Sequence, residues 1–244
     1  LLSRRQLQMC IRDRCMGVKV SASLMCMDLL HIASEVKTLE KYVDEFHIDI
    51  IDWHYCKNMA LAPCFMESIR TISQVPMEAH LYVDSIDMDL IDRCCESGAN
   101  IITMPPEVIE RQLFHIQREL AKRQVQFGVS LNPSMNMDVI VPYGHLIDRL
   151  LILSVDPGFA GQPFIETTYD RIQRAVQLRE ENHWHYQIEV DGCCNEKYYQ
   201  KLYQSGADVF IVGGSGLFSK SEDTDKAVQI CLDWIKKETL CTNG

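Results

Sequence analysis

Short runs in which apolar and polar residues alternate recur along the chain, and between them lie longer segments whose apolar residues return every three or four positions. Alternation is the signature of a strand with one buried face, and the longer period that of an amphipathic helix. Strands are expected over 18–24 (VKVSASL), 46–52 (FHIDIID), 77–83 (MEAHLYV), 100–104 (NIITM), 126–131 (QFGVSL), 150–155 (LLILSV), 186–191 (YQIEVD) and 208–213 (DVFIVG). Helical spacing covers 29–43, 88–98, 108–124, 169–182, 196–206 and 225–238. No linker rich in Pro, Gly or Ser interrupts the series. This pattern predicts parallel strands joined by crossover helices, closed into a single-domain α/β (β/α)8 barrel of the TIM type over residues 16–244. The position where a Rossmann sheet would carry GxGxxG reads SLMCMD, which excludes that alternative.

Several strands have an inward face that is polar. In HIDII, His47 and Asp49 oppose Ile48 and Ile50; in MEAHLYV, Glu78, His80 and Tyr82 oppose Ala79 and Leu81; in YQIEVD, Gln187, Glu189 and Asp191 oppose Ile188 and Val190. Ser21 and Ser23 share a face of the first strand. Barrel active sites lie at the C-terminal ends of the strands, where His47, Asp49, His80, Asp191 and Ser23 fall. Two histidines and two aspartates converging on one mouth suit one divalent metal ion with N/O ligands, Zn, Mn, Fe or Co. Turns rich in glycine follow the last three strands: SVDPGFAGQPF (154–164), DGCCN (191–195) and VGGSGLF (212–218). Such turns let backbone N–H groups approach a phosphate closely. His54 is expected in a loop, and His31, His115, His145, His183 and His185 in helices or connections.

Charge narrows the partners. A formal net charge of −10 without any long Lys/Arg run argues against nucleic acid as a partner. No stretch reaches the roughly 20 apolar residues that span a bilayer, so no membrane partner is expected. The eleven cysteines are scattered without a CxxC pair, as expected of thiols kept reduced in a cytoplasmic protein. Residues 1–15 (LLSRRQLQMCIRDRC) crowd four arginines without an apolar core and differ in character from the rest of the chain. They are expected to be foreign to the natural protein, which would begin at Met16.

Taken in order, HIDIID with His54 and Asn58, MEAHL, SVDPGFAGQPF, IEVDG and GADVFIVGGSGLF resemble the ribulose-phosphate 3-epimerase family over nearly all of 18–220. SLMCMDLL, GFAGQPF and EVDGCCN look closest to its D-allulose-6-phosphate 3-epimerase branch. The resemblance implies inversion at C3 of a small phosphorylated ketose through an enediolate. D-Allulose 6-phosphate is the expected substrate, and D-ribulose 5-phosphate the alternative. It implies Asp49 and Asp191 as the two acid/bases, and His47, Asp49, His80 and Asp191 as metal ligands. The implied substrate contacts are Ser23, His80, Gly158, Phe159, Ala160, Gly161, Asp191, Gly192, Cys193, Gly213, Gly214 and Ser215, in a homo-oligomer.

The chain departs from the family pattern at Trp53, in place of glycine, at Pro105, in place of histidine, and at Ile51, Tyr82 and Leu153, in place of a methionine-rich cap. These changes are expected to reshape the pocket around the sugar. They motivate a third reading, a sugar-phosphate binding barrel whose pocket Trp53 or Tyr82 fills. A decarboxylase or aldolase would need an inward lysine near the mouth. Strands two, three and seven have none, and Lys19 sits low on strand one.

Overall fold

The computed structural model describes residues 17–240; the segment 1–15 lies outside them. Eight parallel strands, β1 (Lys19–Ser23), β2 (Glu45–Ile51), β3 (Met77–Tyr82), β4 (Ile101–Met104), β5 (Gln126–Leu131), β6 (Arg149–Leu153), β7 (Gln187–Asp191) and β8 (Val209–Val212), pair in sequence order and close on themselves, β8 against β1. The expected (β/α)8 barrel is the observed fold.

The outer layer is built from α1 (Ile32–Leu39), α2 (Pro63–Ile72), α3 (Met88–Glu96), α4 (Pro106–Ile109), α5 (Leu113–Lys122), α6 (Thr168–Glu181), α7 (Tyr199–Ser205) and α8 (Thr224–Leu240). Two differ from expectation. The helix read over 108–124 is broken into α4 and α5 at Gln112, whose backbone leaves helical geometry while its side-chain amide donates to the Ile86 carbonyl at 2.6 Å. Helix α2 lacked a prediction, although Phe65, Met66, Ile69 and Ile72 have helical spacing and Pro63 sits in its first turn, where a missing N–H costs nothing. Between β5 and β6 the chain makes only short 3-10 turns at Met137–Ile140 and Gly144–Leu146. No helix of the described residues is long and apolar enough to cross a membrane.

Alternation along the strands sorts two interiors. Val20, Ala22, Ile48, Ile50, Ala79, Leu81, Ile188, Val190, Phe210 and Val212 join the continuous core beneath the helices. The residues between them fill the barrel itself. At its N-terminal end Arg149, 1% exposed, donates to Glu189 Oε1 at 2.9 Å and to both oxygens of Glu45 at 3.0 and 2.9 Å, with Lys19 bonded to Glu45 and Gln187 at the rim. The Arg149 guanidinium is tolerable in this dry interior because Glu45 and Glu189 accept its hydrogen bonds. Above them a small apolar cluster of Ile51, Tyr82, Leu151, Leu153 and Ile211 occupies part of the C-terminal end. Gly128 lets the β4 side chain Thr103 lie across β5: a Cβ there would stand 2.0 Å from Thr103 Oγ1.

Register aligns the polar layer. Ser23 pairs with His47, Asp49 with His80, and Leu153 with Asp191. The residues singled out by their polar alternation therefore arrive at one level of the barrel mouth.

Candidate active site

His47 is fixed from below. Its Nδ1 lies 2.9 Å from Glu78 Oε2, and Glu78 is in turn held by a short hydrogen bond from the Thr103 hydroxyl. With Nδ1–H donated to that carboxylate, Nε2 faces the centre of the mouth, 3.1 Å from Asp49 Oδ1 and 3.1 Å from His80 Nδ1. His80 Nδ1 also lies 3.5 Å from Asp49 Oδ1, and the Ser23 hydroxyl donates to Asp49 Oδ2 at 3.1 Å. Donor atoms of His47, Asp49, His80 and Asp191 all fall within 4.8 Å of one another.

His80 Nε2 is buried and has no partner. Two imidazoles and two carboxylates suit a divalent ion, and Glu78 supplies the outer hydrogen bond that commonly orients a ligating histidine. The residues present fit one such ion.

Electrostatics separate the two aspartates. Burial pushes Asp49 up, but the charge on His47 and hydrogen bonds from His47 and His80 outweigh it and hold the carboxyl well below its ordinary range. Asp191 moves the other way: burial raises it, the negative charge of Asp49 raises it further, and the histidines only partly oppose this. Burial pulls His47 down, yet Asp49 and Glu78 drive it well above its ordinary value. Two carboxyl groups whose surroundings shift them in opposite directions are the pattern that acid/base chemistry uses.

Around this centre is a cavity that opens at the C-terminal mouth of the barrel. Asp49 and Asp191 line it, as do Ser23, Gly158, Phe159, Ala160, Gly161, Gly192, Cys193, Gly213, Gly214 and Ser215. His47 and His80, fully buried, stand behind Asp49. Gly192 has φ +95°, and a Cβ there would meet Ser154 Oγ at 2.8 Å, so this close turn beside Asp191 demands glycine. Gly214–Phe218 form a single π-helical turn whose first residues border the cavity.

Two features differ from expectation. Trp53 does not reshape or fill the pocket: it is 53% exposed, lies outside the lining, and its ring sits under Lys57 at 5.8 Å. Asp52 turns the chain there by accepting from the His54 and Tyr55 backbone N–H groups, which carries residue 53 to the surface. Pro105 lies at the N-terminus of α4, likewise outside the lining. By contrast Ile51, Tyr82 and Leu153 do line the cavity. Met25, Cys26, Val155 and Ile211 also line it and were not anticipated. Cys26 follows β1 in the SLMCMD turn, and Ile211 is two residues before Gly213, so strand alternation alone could have found it.

Comparison with known proteins agrees with this geometry. The Ribulose-phosphate 3 epimerase family profile matches residues 19–218. Ribulose-phosphate 3-epimerase of Bacillus subtilis is 31% identical over 214 residues, covering 86% of this chain and 96% of that protein. The enzyme of that name from Helicobacter pylori is 29% identical over 212 residues, covering 87% and 95%. Among solved structures, KGPDC from Streptococcus mutans superposes with a TM-score of 0.69 at 13% identity, covering 91% of this chain and 98% of that one, a likeness of fold alone. The chain belongs to the ribulose-phosphate 3-epimerase family and is an isomerase, a carbohydrate-phosphate 3-epimerase.

Proposed function

We propose that the protein is a metal-dependent ketose-phosphate 3-epimerase that interconverts D-ribulose 5-phosphate and D-xylulose 5-phosphate. The observation that carries this reading is the pair Asp49 and Asp191, both lining one cavity beside His47 and His80, with the carboxyl of Asp49 lowered by its histidine partners and that of Asp191 raised by burial and by Asp49. The relatives' names favour the five-carbon substrate over D-allulose 6-phosphate, which the sequence motifs had put first.

In this reading Asp49 accepts the C3 proton from one face. The C3–H electron pair becomes the C2–C3 double bond, and the C2 carbonyl oxygen takes the negative charge. Asp191 delivers its proton to C3 from the other face, the carbonyl reforms, and the configuration is inverted; the reverse reaction exchanges the roles. Ser23, donating to Asp49 Oδ2, fixes the carboxylate's orientation. His47, Asp49, His80 and Asp191 would hold the divalent ion, which when bound supplies positive charge for the C2 oxygen. Backbone N–H groups of Gly192, Gly214 and Ser215 would take the phosphate. A cytoplasmic setting and a homo-oligomeric state belong to the same proposal, and light scattering of the purified protein tests the latter.

The decisive comparison is kcat/KM on D-ribulose 5-phosphate and on D-allulose 6-phosphate, after stripping metal and restoring Zn, Mn, Fe or Co singly. Preference for the pentulose is expected. Preference for D-allulose 6-phosphate would reverse the substrate assignment, and turnover of neither with every ion would overturn the function.

A further inference from the structure

Among the side chains that line the cavity, Ile51, Tyr82, Leu153 and Ile211 belong to one apolar cluster, and of these four only Tyr82 carries a polar atom. Tyr82 ends β3, two residues beyond His80 and on the same inward face. Its ring lies against the His80 imidazole, centroids 3.9 Å apart and planes at 46°, and against Tyr55 at 5.8 Å. Both contacts lock the side chain, which is 3% exposed and lines the cavity.

Among the described residues the Tyr82 hydroxyl has no hydrogen-bond partner, whereas the nearby Tyr55 hydroxyl accepts from Asn132 at 2.7 Å and donates to Glu107 at 2.8 Å. With no protein partner, the phenol O–H is free to donate to a molecule in the cavity. Tyr82 lines the cavity that Asp49 and Asp191 also line. A hydroxyl whose ring is packed on both sides reaches a bound molecule in one geometry, which is the condition for stabilising charge as it develops.

We propose that Tyr82 is a catalytic residue of this chain, whose O–H donates to a ketose oxygen at the reacting end and binds it more strongly as the enediolate forms. This rests on the epimerase reading above. The donor keeps its proton throughout: it bonds to the oxygen as negative charge arrives and is released when the carbonyl reforms. It therefore adds to, and does not replace, the acid/base pair.

The test is Tyr82→Phe, which keeps the ring on His80 and removes only the donor, beside Tyr82→Met, which removes both. Each is assayed on D-ribulose 5-phosphate with metal restored and metal content measured. For Tyr82→Phe the expected result is a fall in kcat of about 100-fold with KM changed little. Metal content should stay at the wild-type level, and exchange of the C3 hydrogen into D2O should slow in parallel. Tyr82→Met should lose at least as much. Wild-type kcat in Tyr82→Phe, or a loss confined to KM, overturns the proposal, as does a loss seen only in Tyr82→Met, which would assign the effect to ring packing. A wild-type protein inactive on every ketose phosphate would instead bring down the epimerase reading, and this proposal with it.

Discussion

Replacing Asp191 with asparagine separates the two faces of the reaction. The substitution keeps shape and size but removes the proton that Asp191 exchanges. Among the described residues only Asp49, Asp156 and Asp191 bring carboxyl groups to the cavity lining, and Asp156 is exposed on the loop after β6, so no buried carboxyl can stand in. Loss of one positioned acid/base lowers turnover by about 10²–10⁴, or roughly 3–5 kcal/mol of barrier, and the lack of a substitute points to the upper end. The fold should tolerate the change: burial and the charge of Asp49 both disfavour an ionised Asp191, so a neutral amide relieves rather than adds electrostatic strain. The assay is proton NMR of each epimer in D2O with metal saturating. The epimer whose C3 hydrogen faces Asp49 should still exchange that hydrogen, since Asp49 can remove and return it on one face. The other epimer should be inert, and interconversion should be nearly absent. Exchange of both epimers at wild-type rates, or a loss of interconversion below tenfold, would refute the assignment of Asp191.

Three further outcomes are expected from the same geometry. Glu78→Gln weakens the bond that orients His47 and should lower divalent-metal affinity by roughly 10–100-fold, read by competition with a chelator, with the fold retained. Arg149→Met strands Glu45 and Glu189 in the barrel and should cost about 3–5 kcal/mol, a fall in melting temperature on the order of 10 °C, measured by calorimetry. Cys94, ordinarily near 9, is pushed up to about 12 by burial. The folded state then keeps a proton that the unfolded state loses, so this contribution is complete below about pH 9 and is lost as pH rises toward 12. Urea midpoints at pH 8 and above pH 10 should fall less steeply in Cys94→Ala than in wild type.

Strand alternation carried most of what mattered. His47, Asp49, His80 and Asp191 were legible because a barrel strand must place every second residue inside, and a polar residue at such a position has to be satisfied there. Arg149 was missed for the reciprocal reason: with β6 read from Leu150, the residue before it looked like a solvated connection, although one more step of alternation puts it inward with Leu151 and Leu153. Trp53 was misjudged because its distance along the chain from Asp49 says nothing about the turn that Asp52 imposes. The split of α4 from α5 depends on Gln112 reaching a carbonyl on another segment, a tertiary contact with no local signal. Motifs such as GFAGQPF and EVDGCCN mark loops that line the cavity.

The central claim is that this mouth removes and returns the C3 hydrogen of a ketose phosphate. It is tested most directly by incubating the native, metal-loaded protein with D-ribulose 5-phosphate in D2O and following C3 by proton NMR. The account predicts that the C3 hydrogen is replaced by deuterium while D-xylulose 5-phosphate accumulates. A C3 hydrogen that stays in place, with the protein folded and the metal bound, would contradict it.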